Sequence, residues 1–312
     1  MVILPTRYTN LFVAMNPAIC RPRWRADGGT VSAGCSVRRK PPTIIREAER
    51  VQARLMDVFG FRPSIFAPHV ANFPKQVIFQ QSNWGASRRV VIDVRYRWSN
   101  EYYHFLTEAL PNALLIKREH ACEAVACAEA AFTGDLFYWF AIDVPVIQRT
   151  LGRNRVRCRY VECGNPSPEK IAVVREVVAR KLSFERTLGI LIRRQQSRRI
   201  LNEGAVLALL RQRYPTLEWK VFDKLSVDDT ARFFSKAAVI AGPHGAGFAN
   251  MLFSGSGTTI VEFMPLEQPN LCYWHLAEML GNPYVMIPCP SDRSRSMVVD
   301  LGSDILASLP GP

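Results

Sequence analysis

Four apolar runs between Leu188 and Phe263 decide the fold: Leu188–Ile192 (LGILI), Leu217–Phe222 (LEWKVF), Ala237–Ala241 (AAVIA) and Thr258–Phe263 (TTIVEF). Each is short and apolar, as buried strands are. Between them lie segments with helical spacing. Asn202–Arg213 is read as a helix capped by Asn202, and Ser226–Ser235 as a helix capped by Ser226. Ala246–Phe253 is a shorter helix that follows the loop Gly242–Gly247. Strands alternating with helices at this spacing predict parallel βαβ units and an α/β fold. Such a sheet binds ligands beyond the carboxyl ends of its strands, so the loops after Ile192 and Ala241 become the candidate site.

Upstream the pattern is weaker. Residues 1–42 are rich in Pro, Gly and Arg and lack periodicity, and they read as a flexible basic arm. Ile44–Val58 is expected to be a helix, Gln76–Gln80 and Val90–Val94 strands, and Glu101–Lys117 a helix that Pro111 should kink or split. A further strand is expected near Arg155–Val161. The turn Asn165-Pro166-Ser167-Pro168 is taken as the domain boundary, with a helix from there to about Leu182. The expected domains are therefore an N-terminal lobe over 43–165 and a C-terminal lobe over 166–312. The tail after about Pro283 is left open to a return to the first lobe.

Composition limits the function classes. The 312 residues suffice for two domains with real cores, and the 48% apolar content suits a globular chain. The formal net charge of +13 suits phosphorylated ligands or acidic surfaces. Taken alone it would suggest a polyanion-binding protein. Basic and aromatic residues do not interleave at any regular spacing and no nucleic-acid motif occurs, so no nucleic-acid partner is expected. Eight cysteines occur without a CxxC pair, which argues against a zinc ribbon. The pairs Cys122/Cys127 and Cys158/Cys163 fit disulfides and buried small residues equally well. No apolar run reaches membrane-spanning length. The chain reads as soluble and untargeted, or as lacking its true N-terminus.

Four groups of residues could carry chemistry. Gly242-Pro243-His244-Gly245-Ala246-Gly247 follows a strand and opens a helix, where free N–H groups can meet a phosphate. Arg193, Arg194, Arg198 and Arg199 follow the strand Leu188–Ile192, and guanidinium forks grip phosphate oxygens in pairs. Glu262 near the end of its strand is placed to hold ribose hydroxyls. In the N-terminal half, His104 and Glu108 stand four apart on one helix face, a spacing that can pair a base with its orienting partner. Each group has a plainer reading: a packed turn, a solvated loop, a terminal carboxylate and a surface pair.

Together these residues resemble a family. Arg193-Arg194-Gln195-Gln196-Ser197-Arg198-Arg199-Ile200-Leu201-Asn202-Glu203 is similar to the "R…R-x-I-x-N-E" motif of glycosyltransferase family 61. Gly242-Pro243-His244-Gly245-Ala246-Gly247-Phe248-Ala249-Asn250-Met251-Leu252-Phe253 resembles its "G-x-H-G-A-G-L-x-N-x-x-F", with Phe248 where the family usually has Leu. Glu262 and Pro265 match its "E-x-x-P", and His104 with Glu108 its "H-x-x-x-D/E". The resemblance spans roughly 88–288. Known members decorate plant xylan or place N-acetylglucosamine on protein serine, threonine or O-mannose.

The resemblance implies two Rossmann-like lobes facing a cleft, of the GT-B type. It also implies a UDP-sugar donor, a glycan or glycoprotein acceptor and inversion at the anomeric carbon. Work in the lumen of the Golgi or endoplasmic reticulum follows from the family; otherwise the chain would be cytoplasmic. On this reading Arg194, Arg198 and the N–H groups of Gly245, Ala246 and Gly247 bind the donor diphosphate and His244 lies beside it, with Glu203 near the donor and Glu262 on the ribose. Glu108 is the favoured base and His104 its rival. No Asp-x-Asp pair is present, so no metal or other cofactor is required. The alternative within this fold is a catalytically inactive carbohydrate- or nucleotide-binding pseudoenzyme.

Overall fold

The computed structural model describes residues 25–26, 29–30, 45–48, 89–94, 98–119, 124–127, 130–144, 146–147, 156–161, 166–265, 270, 272–302 and 309. The chain divides into two compact units, Pro41–Val177 and Met1–Lys40 with Val178–Pro312. The division at Val177 falls inside a helix, past the turn at 165–168. A two-residue ladder joins β1 (Arg25–Ala26) and β2 (Gly29–Thr30).

The first unit holds β3 (Ile45–Ala48), β4 (Arg89–Asp93), β5 (Ala124–Ala126), β6 (Val146–Ile147) and β7 (Val156–Val161), in the spatial order β3-β7-β4-β5-β6. All neighbours are parallel except β3, which runs antiparallel to β7. The four parallel strands thus lie in the order third-second-first-fourth, as in half of a dinucleotide-binding fold. Residues 45–48 correct the helix expected over Ile44–Val58: pairing with Cys158–Val161 holds them extended, and tertiary pairing overrides helical spacing. The rest of that segment and Gln76–Gln80 lie outside the described residues. Cys127 is a buried thiol outside any disulfide.

The helix expected over Glu101–Lys117 is split as Pro111 requires. It begins as α1 (Tyr102–His104), widens into a π turn over Phe105–Ala109 and continues as α2 (Leu110–Glu119). Leu110 N–H donates to Phe105 O, five residues back. Pro111 has no N–H and its ring crowds the carbonyl four residues earlier, so a widened turn relieves the ladder just before it. Phe105, Leu106, Ala109 and Leu110 are fully buried, and the Phe105 ring meets Phe132 and Phe137 at 5.5 and 5.2 Å. A short helix, α3 (Thr133–Trp139), carries Phe137, and α4 (Pro168–Lys181) follows.

The second unit is an all-parallel sheet. Its strands are β8 (Leu188–Ile192), β9 (Glu218–Phe222), β10 (Ala237–Pro243), β11 (Thr259–Pro265) and β12 (Tyr284–Cys289), in the order β12-β11-β10-β8-β9. The connecting helices are α5 (Glu203–Arg213), α6 (Val227–Ser235), a 3-10 helix over Ala246–Phe253 and α7 (Cys272–Met279). Every residue of β8, β10 and β11 is buried, as a sheet covered on both faces requires. Ser226 caps α6 as expected, accepting from Asp229 N–H at 3.1 Å. A side chain at Gly189 would strike the Trp219 ring across β8 and β9.

β12 closes the sheet edge, and Met297–Val299 run beside Ile200–Asn202. One expectation changes here. Asn202 does not cap α5. Its amide donates to Val299 O at 2.8 Å and accepts from Val299 N–H at 2.9 Å, closing on the tail as a backbone ladder would. Asn202→Ala leaves a backbone donor and acceptor of Val299 unbonded. The expected cost is about 1–3 kcal/mol, read as a lower denaturant midpoint at unchanged slope.

Candidate active site

The order of the second sheet contains one reversal. The chain leaves β8 for β9 on one side, then crosses back to β10 on the other. The carboxyl ends of β8 and β10 are therefore adjacent while their connections part, and the gap so opened is where doubly wound sheets bind ligands. Two of the expected segments flank it: the arginines after Ile192 and the turn after Pro243.

The register sets the next contact. Gly242 pairs with Glu262, and His244 lies two residues on, just past the end of β10, where its N–H still bonds Phe263 O at 3.0 Å. Side chains two apart share a sheet face, so with no side chain at 242 the His244 ring reaches diagonally to Glu262. His244 Nδ1 lies 2.5 Å from Glu262 Oε1, and Tyr284 on β12 donates its hydroxyl to Oε2. The Glu262 side chain is fully buried and that of His244 9% exposed. Glu262 is thus not an exposed carboxylate near a strand's end. It is the fourth residue of β11, and both of its oxygens are engaged by side chains of this unit.

The glycines also have a packing role. A Cβ at Gly242 or at Gly247 would come within 2.8 Å of the Ile192 side chain, so both permit the turn to close over β8. Gly245 is the one beneath a functional group: a Cβ there would strike the Arg194 guanidinium. The 3-10 helix starts at Ala246, and the first N–H groups of a helix lack intrahelical acceptors.

The arginine loop is folded rather than loosely solvated. Arg194 Nε donates to Ser197 O at 2.8 Å, Arg198 N–H to Ser294 O at 3.2 Å and Arg199 N–H to the Ser296 hydroxyl at 3.3 Å. Arg198 takes a left-handed backbone, φ +58°, that non-glycine residues adopt at a cost. Arg194 is half-buried; burial first, and the Arg198 charge second, lower its proton affinity. Arg193 instead faces Glu203, with Nε at 3.0 and 3.1 Å from the two carboxylate oxygens. This pair borders a depression of about 360 Å³, which Arg194, Arg199 and Leu201 also line.

Sequence reasoning missed two tyrosines. Tyr273, at the start of α7, sets its ring 5.0 Å from His244 and 5.4 Å from Phe248. Burial pushes its hydroxyl well above the usual range, with the charges of Cys272 and Glu262 adding to the effect and Arg198 and Arg194 opposing it. Tyr284 is the other. Only the β11–β12 register, with Tyr284 beside Ile260, could have pointed to it.

In the first unit, His104 Nδ1 and Glu108 Oε1 lie 2.7 Å apart. Glu108 sits in the π turn with its side chain 3% exposed, against 24% for His104. The His104 ring stacks on Trp98 at 6.1 Å. The pair is therefore a half-buried dyad and not a surface feature. Among the described residues no group of three or more His, Cys, Asp or Glu is placed to hold a metal ion.

The model of the family described as glycosyltransferase 61 matches residues 102–261, just over half of the chain. The chain belongs to glycosyltransferase family 61. It is a glycosyltransferase, and its family implies a sugar donor and an acceptor. The matched span takes in His104, Glu108, Arg194, Arg198 and the turn at His244, and ends one residue before Glu262. No curated protein matches the chain in sequence. Among the described residues no helix is long and apolar enough to cross a membrane.

Beyond Tyr273, helix α7 of the glycosyltransferase carries buried groups with no hydrogen-bond partner among the described residues: Trp274 Nε1, His275 Nδ1 and both Glu278 oxygens. Burial pushes Glu278 up to about 7 and His275 down to about 4. A raised carboxyl contributes stability below its unfolded pKa and loses it as pH rises through the folded one. A depressed histidine contributes above its unfolded pKa and loses it as pH falls. Parent and Glu278→Gln should therefore diverge as pH climbs from about 4.5 to 7, the variant becoming the more stable by about 2 kcal/mol at pH 8. Parallel stability curves across that range would refute the assignment to Glu278.

Proposed function

We propose that this glycosyltransferase moves a sugar from a UDP-sugar to a hydroxyl of a glycan or protein, with inversion at the anomeric carbon. The observation that carries the proposal is the pairing of Arg194, electrostatically coupled to Arg198, with the Gly245 turn at the sheet's reversal. In this reading both guanidiniums and the N–H groups of Gly245–Gly247 hold the diphosphate, His244 lies beside it, and Glu203 stays on the donor side through Arg193. The cations are the chain's own, so the reading needs no metal. It includes the GT-B arrangement and the secretory-pathway lumen that the family resemblance implies.

Inversion needs attack from the face opposite the departing diphosphate. The acceptor oxygen bonds to the anomeric carbon as that carbon's bond to the phosphate oxygen breaks, and the electron pair leaves with UDP. The acceptor's proton goes to a base. Glu108 takes that part, with His104 at 2.7 Å as the group that orients it or takes the proton in its place.

Two experiments test this. Arg198→Ala should weaken UDP binding by about 1.5–3 kcal/mol in calorimetric titration, the scale of a hydrogen bond to a charged group. Unchanged affinity in a folded variant removes Arg198 from the donor site. Glu108→Gln keeps the shape and loses the proton acceptor, so sugar transfer should fall about 10²–10⁴-fold while UDP still binds. His104→Gln in parallel assigns the roles: if it alone abolishes transfer, His104 is the base. Parent-level transfer by both variants would move the base elsewhere.

A further inference from the structure

The donor reading leaves a buried charge without a task. Glu262 is fully buried in the middle of β11, and its carboxylate meets His244 and Tyr284. A carboxylate removed from water is costly unless its oxygens are bonded and its charge is met. The Tyr284 hydroxyl is neutral and supplies only a hydrogen bond. An ionised carboxylate is an acceptor alone, so against one the His244 Nδ1 at 2.5 Å is the donor. Among the described residues the His244 ring has Glu262 as its hydrogen-bond partner, through Nδ1, which leaves Nε2 for a ligand. The other titratable groups packed around the pair are Arg194 and Arg198 from the loop after β8, and Cys272 and Tyr273 from α7.

We propose that Glu262 is a positioning residue that holds His244 as an imidazolium, with Nε2–H donated to the departing diphosphate. This rests on the donor reading above. Charge balance supports it. Arg194, Arg198 and a protonated His244 set three positive charges against the one of Glu262, which leaves a net of two. A nucleotide sugar carries two negative charges on its diphosphate, and a neutral ring would leave only one positive charge to meet them. As the anomeric C–O bond breaks, its electron pair adds negative charge to the departing phosphate oxygen. A hydrogen bond from a charged donor already in place strengthens at that moment. His244 keeps its proton throughout, because the acceptor's proton leaves by way of the base. Tyr284 fixes the carboxylate so that one oxygen stays aimed at Nδ1.

Nitrogen NMR of the full chain with labelled histidine, loaded with UDP, reads the ring directly, with the His244 signals assigned through His244→Gln. Both ring nitrogens should carry protons in the complex. A neutral ring there overturns the proposal, and this measurement does not depend on any Glu262 variant folding. Calorimetric titration with UDP supplies the second arm. Glu262→Gln should bind about tenfold more weakly at pH 7.5. It should take up more protons on binding than the parent and recover much of its affinity near pH 5.5. Parent-like affinity at pH 7.5, or an equal loss at both pH values, would make Glu262 a merely structural residue. A parent chain that ignores UDP would instead sink the donor reading itself.

Discussion

Two neighbouring parallel strands whose connections leave in opposite directions cannot both have their carboxyl ends covered. In the second unit those strands are β8 and β10, and the opening they leave is a consequence of strand order alone. What the chain places there is then constrained by packing. Ile192 ends β8, and Gly242 and Gly247 fold directly over its side chain. With that contact made, the turn carries His244 toward β11 and brings Gly245 under Arg194. The order of glycines in the motif thus answers to a buried isoleucine as much as to any ligand.

Much of this was legible in the sequence, and what was not has a common cause. The alternation of β8, α5, β9, α6 and β10 could be read because each element carries its own local pattern. The strand expected over Leu188–Ile192 and the Ser226 cap are both present as read. Long-range register has no such signature. Glu262 looked like a residue near a strand's end, yet β11 continues to Pro265 because β12 pairs along its whole length. Asn202 looked like a cap because Asn before a helix usually is one. Its amide met Val299 instead, nearly a hundred residues away in sequence. Residues 45–48 show the same effect, where a partner strand outweighed a helical spacing of apolar residues.

The π turn at Phe105–Ala109 shows a local rule and the proposed base coinciding. Pro111 forbids a regular α ladder, and the widened turn that accommodates it contains Glu108. The wider turn carries Glu108 inward among Phe105, Leu106 and Ala109, all fully buried. Its partner His104, on the α turn before, stays a quarter exposed. A straight helix would keep both residues on one stripe with similar exposure. The asymmetry between them follows from the proline, and it is the asymmetry that makes one member of the pair sheltered and the other accessible.

The arginine loop raises the opposite problem, because like charges gathered at one place repel and would disperse if left unrestrained. Burial first, and the Arg198 charge second, already lower the proton affinity of Arg194. The restraint comes from the tail. Ser294 and Ser296 bond the backbone of Arg198 and Arg199, and Met297 bonds the backbone of both Arg199 and Leu201. Arg198 is held at φ +58°, a conformation that a loose loop would abandon. The strain and the repulsion are both sustained by hydrogen bonds from residues about a hundred positions later in the chain. Under the donor proposal, a cluster of cations fixed in that way reorganises little when the diphosphate binds, and the binding free energy is not spent on assembling the site.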